Sequence, residues 1–295
     1  MKTMVIDDRA GQRLDNFLFG VYRSTPYSHI YRMLRKGRIR VNGKVMKDNT
    51  YKLCEGDVLT MPTPVNDASQ LKPSETLINK CKAMIVSEHE DYWVLNKPQG
   101  ICVHQSQRDI FGVVEVMREI YGEAHLVHRI DRNTSGCLIV AKSYRALNQL
   151  QAYWKKKQVT KVYWLLCVGH WKYGAEKLVD KPLLRVDQEK AGPKVMVSEN
   201  GKEARSTFKL LKQYKGYALL EARIETGRTH QIRVHAASIG LPIVGDGRYG
   251  KADNPFCAYM FLHARRLVIE AEDIDETIEL TKEQQDILNK LDGQS

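Results

Sequence analysis

One short polar stretch carries the residues best suited to chemistry. Asp131 lies between Arg129 and Arg132, after one apolar run and before a second, Leu138 to Val140. This pattern predicts a loop between two strands, in which the small residues 133–136 allow a tight turn and leave room for a ligand. Because nearby positive charge favours the ionised carboxylate, we expect Asp131 to act as a nucleophile or as the partner of a developing cation.

The string around Asp131 favours a chemical role over a structural one. A single Arg-x-Asp-Arg is more often an ion pair that holds its own loop, and such surface pairs contribute little to stability. Here residues 128–136 read His-Arg-Ile-Asp-Arg-Asn-Thr-Ser-Gly. They resemble the His-Arg-Leu-Asp-x-x-Thr-Ser-Gly signature of the RluA family of pseudouridine synthases, from which only Ile130 departs.

Three further motifs resemble the same family. Residues 96–100 match its Asn-Lys-Pro-x-Gly element, residues 161–163 match the Lys-x-Tyr context of its active-site tyrosine, and residues 227–235 match its Gly-Arg-Thr-His-Gln-Ile-Arg-Val-His element. The resemblance covers roughly residues 11 to 270. It implies an enzyme that isomerises uridine to pseudouridine in RNA.

The resemblance also implies roles for individual residues. Asp131 is expected to be the nucleophile, Tyr163 the aromatic wall against the uracil and an acceptor for the C5 proton, and Arg228 the partner that orients Asp131. Arg129 is expected to fill the gap left when the target uridine flips out of its stack, and Lys97 to face the cleft as an RNA contact. Whether the aspartate attacks the sugar at C1′ or the base stays open.

The residue types by themselves point to glycosidic-bond chemistry without hydrolysis. A carboxylate can meet the charge that develops at a sugar C1′ carbon, but ordinary glycoside hydrolysis needs a second carboxylate as proton donor. Only Asp131 occurs within the strong motifs. Isomerisation fits better, since uracil is detached from C1′, turned and rejoined through C5 without water.

No cofactor and no metal site are predicted. Four histidines lie in or beside the motifs, but no carboxylate or thiolate completes a set of metal ligands with them at the usual spacing, and no Cys-x-x-Cys pair occurs. These histidines are His125, His128, His230 and His235. The sequence also holds no glycine-rich phosphate loop of the Walker or dinucleotide type.

Residues 1–62 are predicted to form a small separate domain. Two stretches have the spacing of helices with one apolar face, and the apolar residues are Leu14, Phe17, Leu18, Ile30, Met33 and Leu34. Asn42-Gly43 predicts the turn of a hairpin, and a last strand is expected at 58–61. The order of these elements resembles the S4 RNA-binding module.

The charge of this domain predicts a surface for phosphate groups. Residues 1–62 hold 12 Lys/Arg against 6 Asp/Glu, and no acidic residue lies between Asp15 and Asp48. A run of charge is usually a solvated face, but the lack of compensating acids favours RNA binding here. The expected contacts are Arg32, Arg35, Lys36, Arg38, Arg40 and Lys44.

The remaining chain is predicted to be an α+β catalytic domain. The polar stretch with three prolines that begins at Pro62 indicates a linker at 63–80. The pseudouridine synthase domain is then expected at 81–282 and a C-terminal tail at 283–295. Short apolar strands with occasional helices fill this part, and the resemblance implies a large, mostly antiparallel mixed sheet.

RNA is the expected partner, foremost large-subunit ribosomal RNA of the 23S type. The net charge is +11, although residues 270–292 carry 9 acidic against 2 basic residues. With no leader and no apolar run of ~18 residues, the protein is expected to be cytoplasmic, and we expect a monomer.

The same isomerase acting on transfer RNA is one alternative. An RNA-binding or ribosome-assembly factor without catalysis is another, against which the intact catalytic motifs count.

Overall fold

The computed structural model describes residues 1–7, 9–22, 27–63, 72–105, 111–186, 194–250 and 259–293. The chain divides into two compact units, Met1–Ser74 and Glu75–Ser295. The division falls within the polar, proline-containing stretch of the sequence. None of the described helices is long and apolar enough to cross a membrane.

The first unit packs two helices with a small sheet. Strand β1 (Lys2–Val5) precedes helices α1 (Leu14–Val21) and α2 (Tyr27–Arg35), and strands β2 (Arg40–Val41), β3 (Lys44–Val45) and β4 (Val58–Met61) follow. The four strands pair antiparallel in the order β1-β4-β2-β3. The two apolar stripes predicted from the sequence form the core of this unit, because all six of their residues are buried.

The predicted hairpin is present between β2 and β3. Asn42 and Gly43 have φ values of 51° and 77°, the left-handed conformations that a tight two-residue turn requires and that this residue pair tolerates. The Asn42 amide donates to Asp57 Oδ1 at 2.8 Å and its oxygen accepts from the Val58 N–H at 2.8 Å. The turn is thereby fixed to the neighbouring strand β4.

The second unit contains the remaining elements. Its helices are α3 (Glu75–Ala83), α4 (Val113–Tyr121), α5 (Tyr144–Lys155), α6 (Gln231–Ser238) and α7 (Lys282–Asp292). Its strands are β5 (Ile85–Glu88), β6 (Tyr92–Lys97), β7 (His125–Leu126), β8 (Ser135–Ala141), β9 (Thr160–Val168), β10 (Glu176–Asp180), β11 (Leu183–Val186), β12 (Lys194–Val197), β13 (Arg205–Tyr214), β14 (Tyr217–Ile224), β15 (Leu262–Ile269) and β16 (Ile274–Thr277).

One large sheet organises this unit. Ten of its described strands join in the order β10-β13-β14-β9-β15-β8-β6-β5, with β16 beside β15 and β7 beside β8. The neighbours are antiparallel except β8 and β15, which are parallel. Strands β11 and β12 form a separate hairpin. The predicted α+β class with a mostly antiparallel mixed sheet is therefore confirmed.

Two large apolar clusters form most of the core around the large sheet. Strand β8 is buried at all of its positions, as expected for a continuous apolar strand between two neighbours. Two large apolar clusters cover the sheet, and Tyr163 on β9 packs against both of them. The buried centre of the sheet therefore holds the ends of its strands, and the loops joined to them, in place.

Helices occupy parts of the predicted linker and tail. Helix α3 begins at Glu75, inside the predicted 63–80 linker, and buries Cys81 in the core; residues 64–71 of that linker lie outside the described residues. Helix α7 fills most of the predicted 283–295 tail and packs Ile287, Leu288 and Leu291 around Phe261. Both segments have an apolar face, which explains why they join the core.

Candidate active site

Asp131 lies in the predicted loop, between β7 and β8. Its backbone carbonyl accepts from the Thr134 N–H at 3.0 Å, which closes a tight turn. The next residue, Arg132, exchanges two hydrogen bonds with Gly100: the Gly100 N–H donates to its carbonyl at 2.9 Å, and its Nε donates to the Gly100 carbonyl at 2.8 Å. The loop that carries Asp131 is therefore tied to the turn after β6.

Lys97 fixes the same two loops from inside the protein. Its side chain is fully buried, and Nζ donates to the carbonyl oxygens of Pro98, Ile101 and Arg132 at 2.8, 2.9 and 3.0 Å. Burial lowers its pKa to about 7, while the negative charge of Asp131 acts in the opposite direction. The prediction that Lys97 faces the cleft and contacts RNA is wrong, because all three N–H bonds of the ammonium group point to internal carbonyls.

Arg233 is the cation that faces Asp131. Its Nη1 lies 3.5 Å from Asp131 Oδ2, and the two side chains are 13% and 25% exposed. Nε and Nη2 of the same guanidinium each donate to the carboxylate of Asp246 at 2.8 Å. This bidentate pair fixes the plane of the guanidinium, so Nη1 remains directed at Asp131.

Asp246 is adapted to hold this arginine. Its side chain is fully buried, which raises its pKa, but hydrogen bonds from Arg233 and from the backbone N–H groups of Arg248 and Tyr249 outweigh burial and lower it. The carboxylate is therefore charged at neutral pH. A buried charge of this kind is stable only with such partners.

Arg228 does not take the position that the sequence predicted for it. Its Nε donates to the backbone carbonyl of Glu203 at 2.9 Å, and its side chain is exposed. The physical reason is the start of α6 at Gln231, whose side-chain oxygen accepts from the Arg228 N–H at 3.0 Å and from Thr226 at 2.7 Å. This turn directs Arg228 towards the segment just before β13, and Arg233 is the arginine of this motif that faces Asp131.

A spacing in the sequence could have identified Arg233. His230 caps the start of α6, and its Nε2 also lies near Asp131, 3.9 Å from Oδ2. Residues 230 and 233 are three positions apart, so they share one face of the helix. The motif at 227–235 contains both arginines, and only the phase of the helix distinguishes them.

Tyr163, on β9, lies near Asp131. Its neighbours across the sheet are Ala222 and Ala264, whose small side chains leave space for the ring. Burial, then the charges of Asp131 and Cys137, raise the pKa of Tyr163 above its usual range. The phenol is therefore neutral at physiological pH.

A polar pocket of about 530 Å³ borders the Asp131 loop. It is lined by Asn133, Lys194, Arg233, Gly245, Asp246, Gly247, Arg248 and Met260. Three of these side chains are cationic and one is the internally paired Asp246. The pocket therefore suits an anionic ligand such as a nucleotide phosphate.

The remaining predicted RNA contacts are on the surface. Arg129, in the Asp131 loop, is exposed, and its charge adds to the effect of burial in lowering the pKa of His104. In the first unit the predicted contacts Arg32, Arg35, Lys36, Arg38, Arg40 and Lys44 are all exposed. In the described ranges, no group of three His, Cys, Asp or Glu side chains is arranged to hold a metal ion.

Comparisons with known proteins identify the family of the chain. The family model described as RNA pseudouridylate synthase matches residues 91–238, and the S4 domain model matches residues 12–59. The chain is 40% identical, over 97% of its length, to a protein from Vibrio parahaemolyticus named ribosomal large subunit pseudouridine synthase C, of which the match covers 93%. A protein of the same name from Haemophilus ducreyi is also 40% identical, with 97% and 94% coverage.

A solved structure shares the architecture. Human RNA Pseudouridylate Synthase Domain Containing 4 matches with a TM-score of 0.60 and 25% identity, covering 74% of this chain and 96% of that one. The family resemblance predicted from the motifs is confirmed by these matches. The chain belongs to the RNA pseudouridylate synthase family, and it carries an S4 domain before the synthase domain.

Proposed function

We propose that the protein converts specific uridines of large-subunit ribosomal RNA, of the 23S type, to pseudouridine, with Asp131 as the nucleophile. The main observation behind this proposal is that the two oxygens of the Asp131 carboxylate have different surroundings. Arg233 and His230 both face Oδ2, while Oδ1 receives no hydrogen bond or ion pair from the described residues. One oxygen is thus held and the other keeps its lone pairs for attack.

The reaction needs one nucleophile and no water. The C1′–N1 bond breaks, the uracil turns, the C1′–C5 bond forms, the proton leaves C5, and N1 ends with a proton. Asp131 attacks either C1′ or the base, and both routes use Oδ1. Arg233 holds Oδ2 and so orients the carboxylate, and its guanidinium remains positive at any working pH.

Tyr163 serves as the aromatic wall for the uracil in this proposal. Its raised pKa leaves little phenolate at neutral pH, which disfavours a role as the base that takes the C5 proton. A neutral ring that packs between two apolar clusters suits stacking instead. Tyr163→Phe should therefore retain most of the activity.

Base flipping supplies the access to the uridine. A uridine within stacked RNA is unreachable until it leaves the helix, and Arg129 is an exposed cation on the same loop as Asp131. We assign Arg129 to the gap that the flipped base leaves. The exposed cations of the first unit add phosphate contacts that do not depend on sequence.

The names of the relatives support ribosomal RNA as the substrate, since both bacterial proteins are named for the ribosomal large subunit. Mapping pseudouridine in total RNA from cells with and without the gene tests this. We expect a large-subunit site to be lost and then restored by the wild-type gene. Loss of a site in transfer RNA would identify the other substrate, and loss of no site would support an assembly factor.

Asp131→Asn tests the chemistry. The amide keeps the shape of the side chain but not its nucleophilic charge, so single-turnover pseudouridine formation should fall by roughly 10³-fold or more. RNA affinity should be retained, because the phosphate contacts lie elsewhere. Turnover at the wild-type rate, or complementation of the deleted gene by this variant, would contradict the assignment.

The proposal also includes a monomer that acts in the cytoplasm, where ribosomal RNA is assembled into ribosomal subunits. Sedimentation of the purified protein alone and with RNA would test the monomer. A dimer that persists at working concentrations would contradict it.

A further inference from the structure

Tyr249 connects the wall of the pocket to the neighbourhood of Asp131. Its hydroxyl oxygen lies 3.0 Å from the N–H of Val195, on β12, and 2.8 Å from Nδ1 of His230. Its ring lies beneath the guanidinium of Arg233, 5.0 Å from the ring centre. One side chain therefore contacts both groups that face Asp131 Oδ2.

The hydrogen bonds of the Tyr249 hydroxyl select one tautomer of His230. The Val195 N–H can only donate, so the Tyr249 oxygen accepts from it and keeps its own proton for a different partner. Nδ1 of His230 is that partner if it is unprotonated, which places the imidazole proton on Nε2. The other tautomer would leave the hydroxyl proton without an acceptor among the described residues and would turn a lone pair of Nε2 towards the Asp131 carboxylate.

The charges around His230 agree with a neutral ring. Burial lowers its pKa to about 4; the carboxylates of Asp131 and Asp246 act in the opposite direction, and the guanidinium groups of Arg233 and Arg248 act with burial. At neutral pH the ring therefore carries one proton. A neutral N–H donor beside Asp131 can orient the carboxylate without forming a second ion pair.

We propose that His230 is a positioning residue, whose Nε2–H directs Asp131 Oδ2, and that the Tyr249 hydroxyl selects the tautomer that makes this possible. The proposal rests on Asp131 as the nucleophile. At 3.9 Å the contact is longer than a hydrogen bond, and such contacts tighten when substrate binds. With Arg233 on the same oxygen, Oδ1 is the atom left to attack.

The backbone of His230 provides a control for a structural role. Its φ and ψ are 55° and 19°, the left-handed region, which asparagine tolerates better than glutamine. The Nε2 of glutamine reaches the place of the imidazole Nε2, whereas the amide of asparagine is too short. A structural role at the start of α6 therefore favours His230→Asn, and the positioning role favours His230→Gln.

Single-turnover rates at saturating RNA decide between these roles. We expect His230→Gln to stay within about threefold of wild type and His230→Asn to fall about tenfold or more, the effect of one lost hydrogen bond to a charged group. RNA affinity should be equal in both variants. The reverse order of rates, or equal rates, would overturn the proposal.

The tautomer is tested directly by ¹⁵N NMR of the full-length protein, with His230→Gln used to assign the signal. We expect the unprotonated-Nδ1 signature in the wild type. In Tyr249→Phe, which keeps the ring beneath Arg233, we expect a shift towards mixed tautomers and a rate about tenfold lower. A wild-type signal from protonated Nδ1 would overturn the proposal even if Asp131→Asn is inactive, so the two failures are distinguishable.

Discussion

The two units use their basic residues in opposite ways. In the first unit two acids are turned inwards: Asp15 is buried and accepts from Arg13, Asn16 and Asn49, and Asp57 is buried and accepts from Asn42, Tyr51 and Cys54. The six cations of its predicted RNA face remain exposed. Their charge is therefore available to phosphate groups.

In the second unit the decisive cations are internal. Lys97 is fully buried on three carbonyls, and Arg233 is held by Asp246 with one nitrogen directed at Asp131. These cations organise the protein rather than the substrate. The comparison teaches that a basic residue in a motif of an RNA enzyme can contact RNA only if the fold leaves some of its N–H bonds unused.

The strongest test of this distinction substitutes each of the two arginines of one motif, Arg228 and Arg233, by lysine in separate variants. Arg233→Lys keeps the charge but loses the bidentate geometry, so we expect single-turnover activity to fall about 10²-fold or more, as for a misplaced catalytic group. Arg228→Lys, the matched control, should stay near wild type. If Arg228→Lys were the inactive variant, the orienting role would return to Arg228.

Lys97→Met should act on stability before it acts on binding. It leaves three carbonyl oxygens without their donor, at a cost of roughly 1–3 kcal/mol in the free energy of unfolding for such a loss, and it loosens the Asp131 loop. Denaturant unfolding measures the first effect and single-turnover kinetics the second. An unchanged stability with weaker RNA binding would instead restore Lys97 as an RNA contact.

The pH dependence of stability gives a finer test of the same lysine. Burial lowers the pKa of Lys97 from 10.5 to about 7, so between these values the unfolded chain binds more protons than the folded one. Wild-type stability should therefore rise with pH relative to Lys97→Met, by up to about 1.4 kcal/mol per pH unit. A flat difference would show that the three carbonyls keep the ammonium charged.

The sequence predicted the features that depend on neighbouring residues. The helix stripes around Leu14 and Ile30, the turn at Asn42-Gly43 and the loop that carries Asp131 follow from periodicity and turn chemistry, which act over a few positions. The helix stripes, the turn and the loop could be predicted because short-range forces determine them. The family motifs added Asp131 and Tyr163 as candidate site residues, and their roles stay predictions.

The predictions that were wrong concern features that depend on contacts between residues distant in sequence. Lys97 is buried because a carbonyl at Arg132, 35 residues away, completes its set of acceptors. The choice between Arg228 and Arg233 depends on Gln231, which also donates to Ser206 on β13 at 3.0 Å and so fixes where α6 begins. Neither of these two contacts follows from periodicity, although the spacing of His230 and Arg233 does indicate that those two residues share a face of α6.

The last test concerns the exposed cations of the first unit. Substituting Arg32, Arg35 and Lys36 with glutamine in the full-length chain keeps residues that favour helices and removes three charges. If each contacts a phosphate, the slope of log affinity against log salt should become shallower by ~0.7–0.9 per contact, about two to three in total. The single-turnover rate at saturating RNA should not change.

A matched set of three ion-paired cations distinguishes phosphate contact from net charge. Lys142 pairs with Glu88, Lys212 with Asp292, and Arg266 with Asp275. Substituting these three with glutamine removes the same charge, but their N–H groups already have partners, so the salt slope should stay near that of the wild type. Equal changes in both sets would mean that RNA responds only to total charge. An unchanged slope in the first set would mean that this face does not touch RNA, and the first unit would then be reassigned to protein interactions.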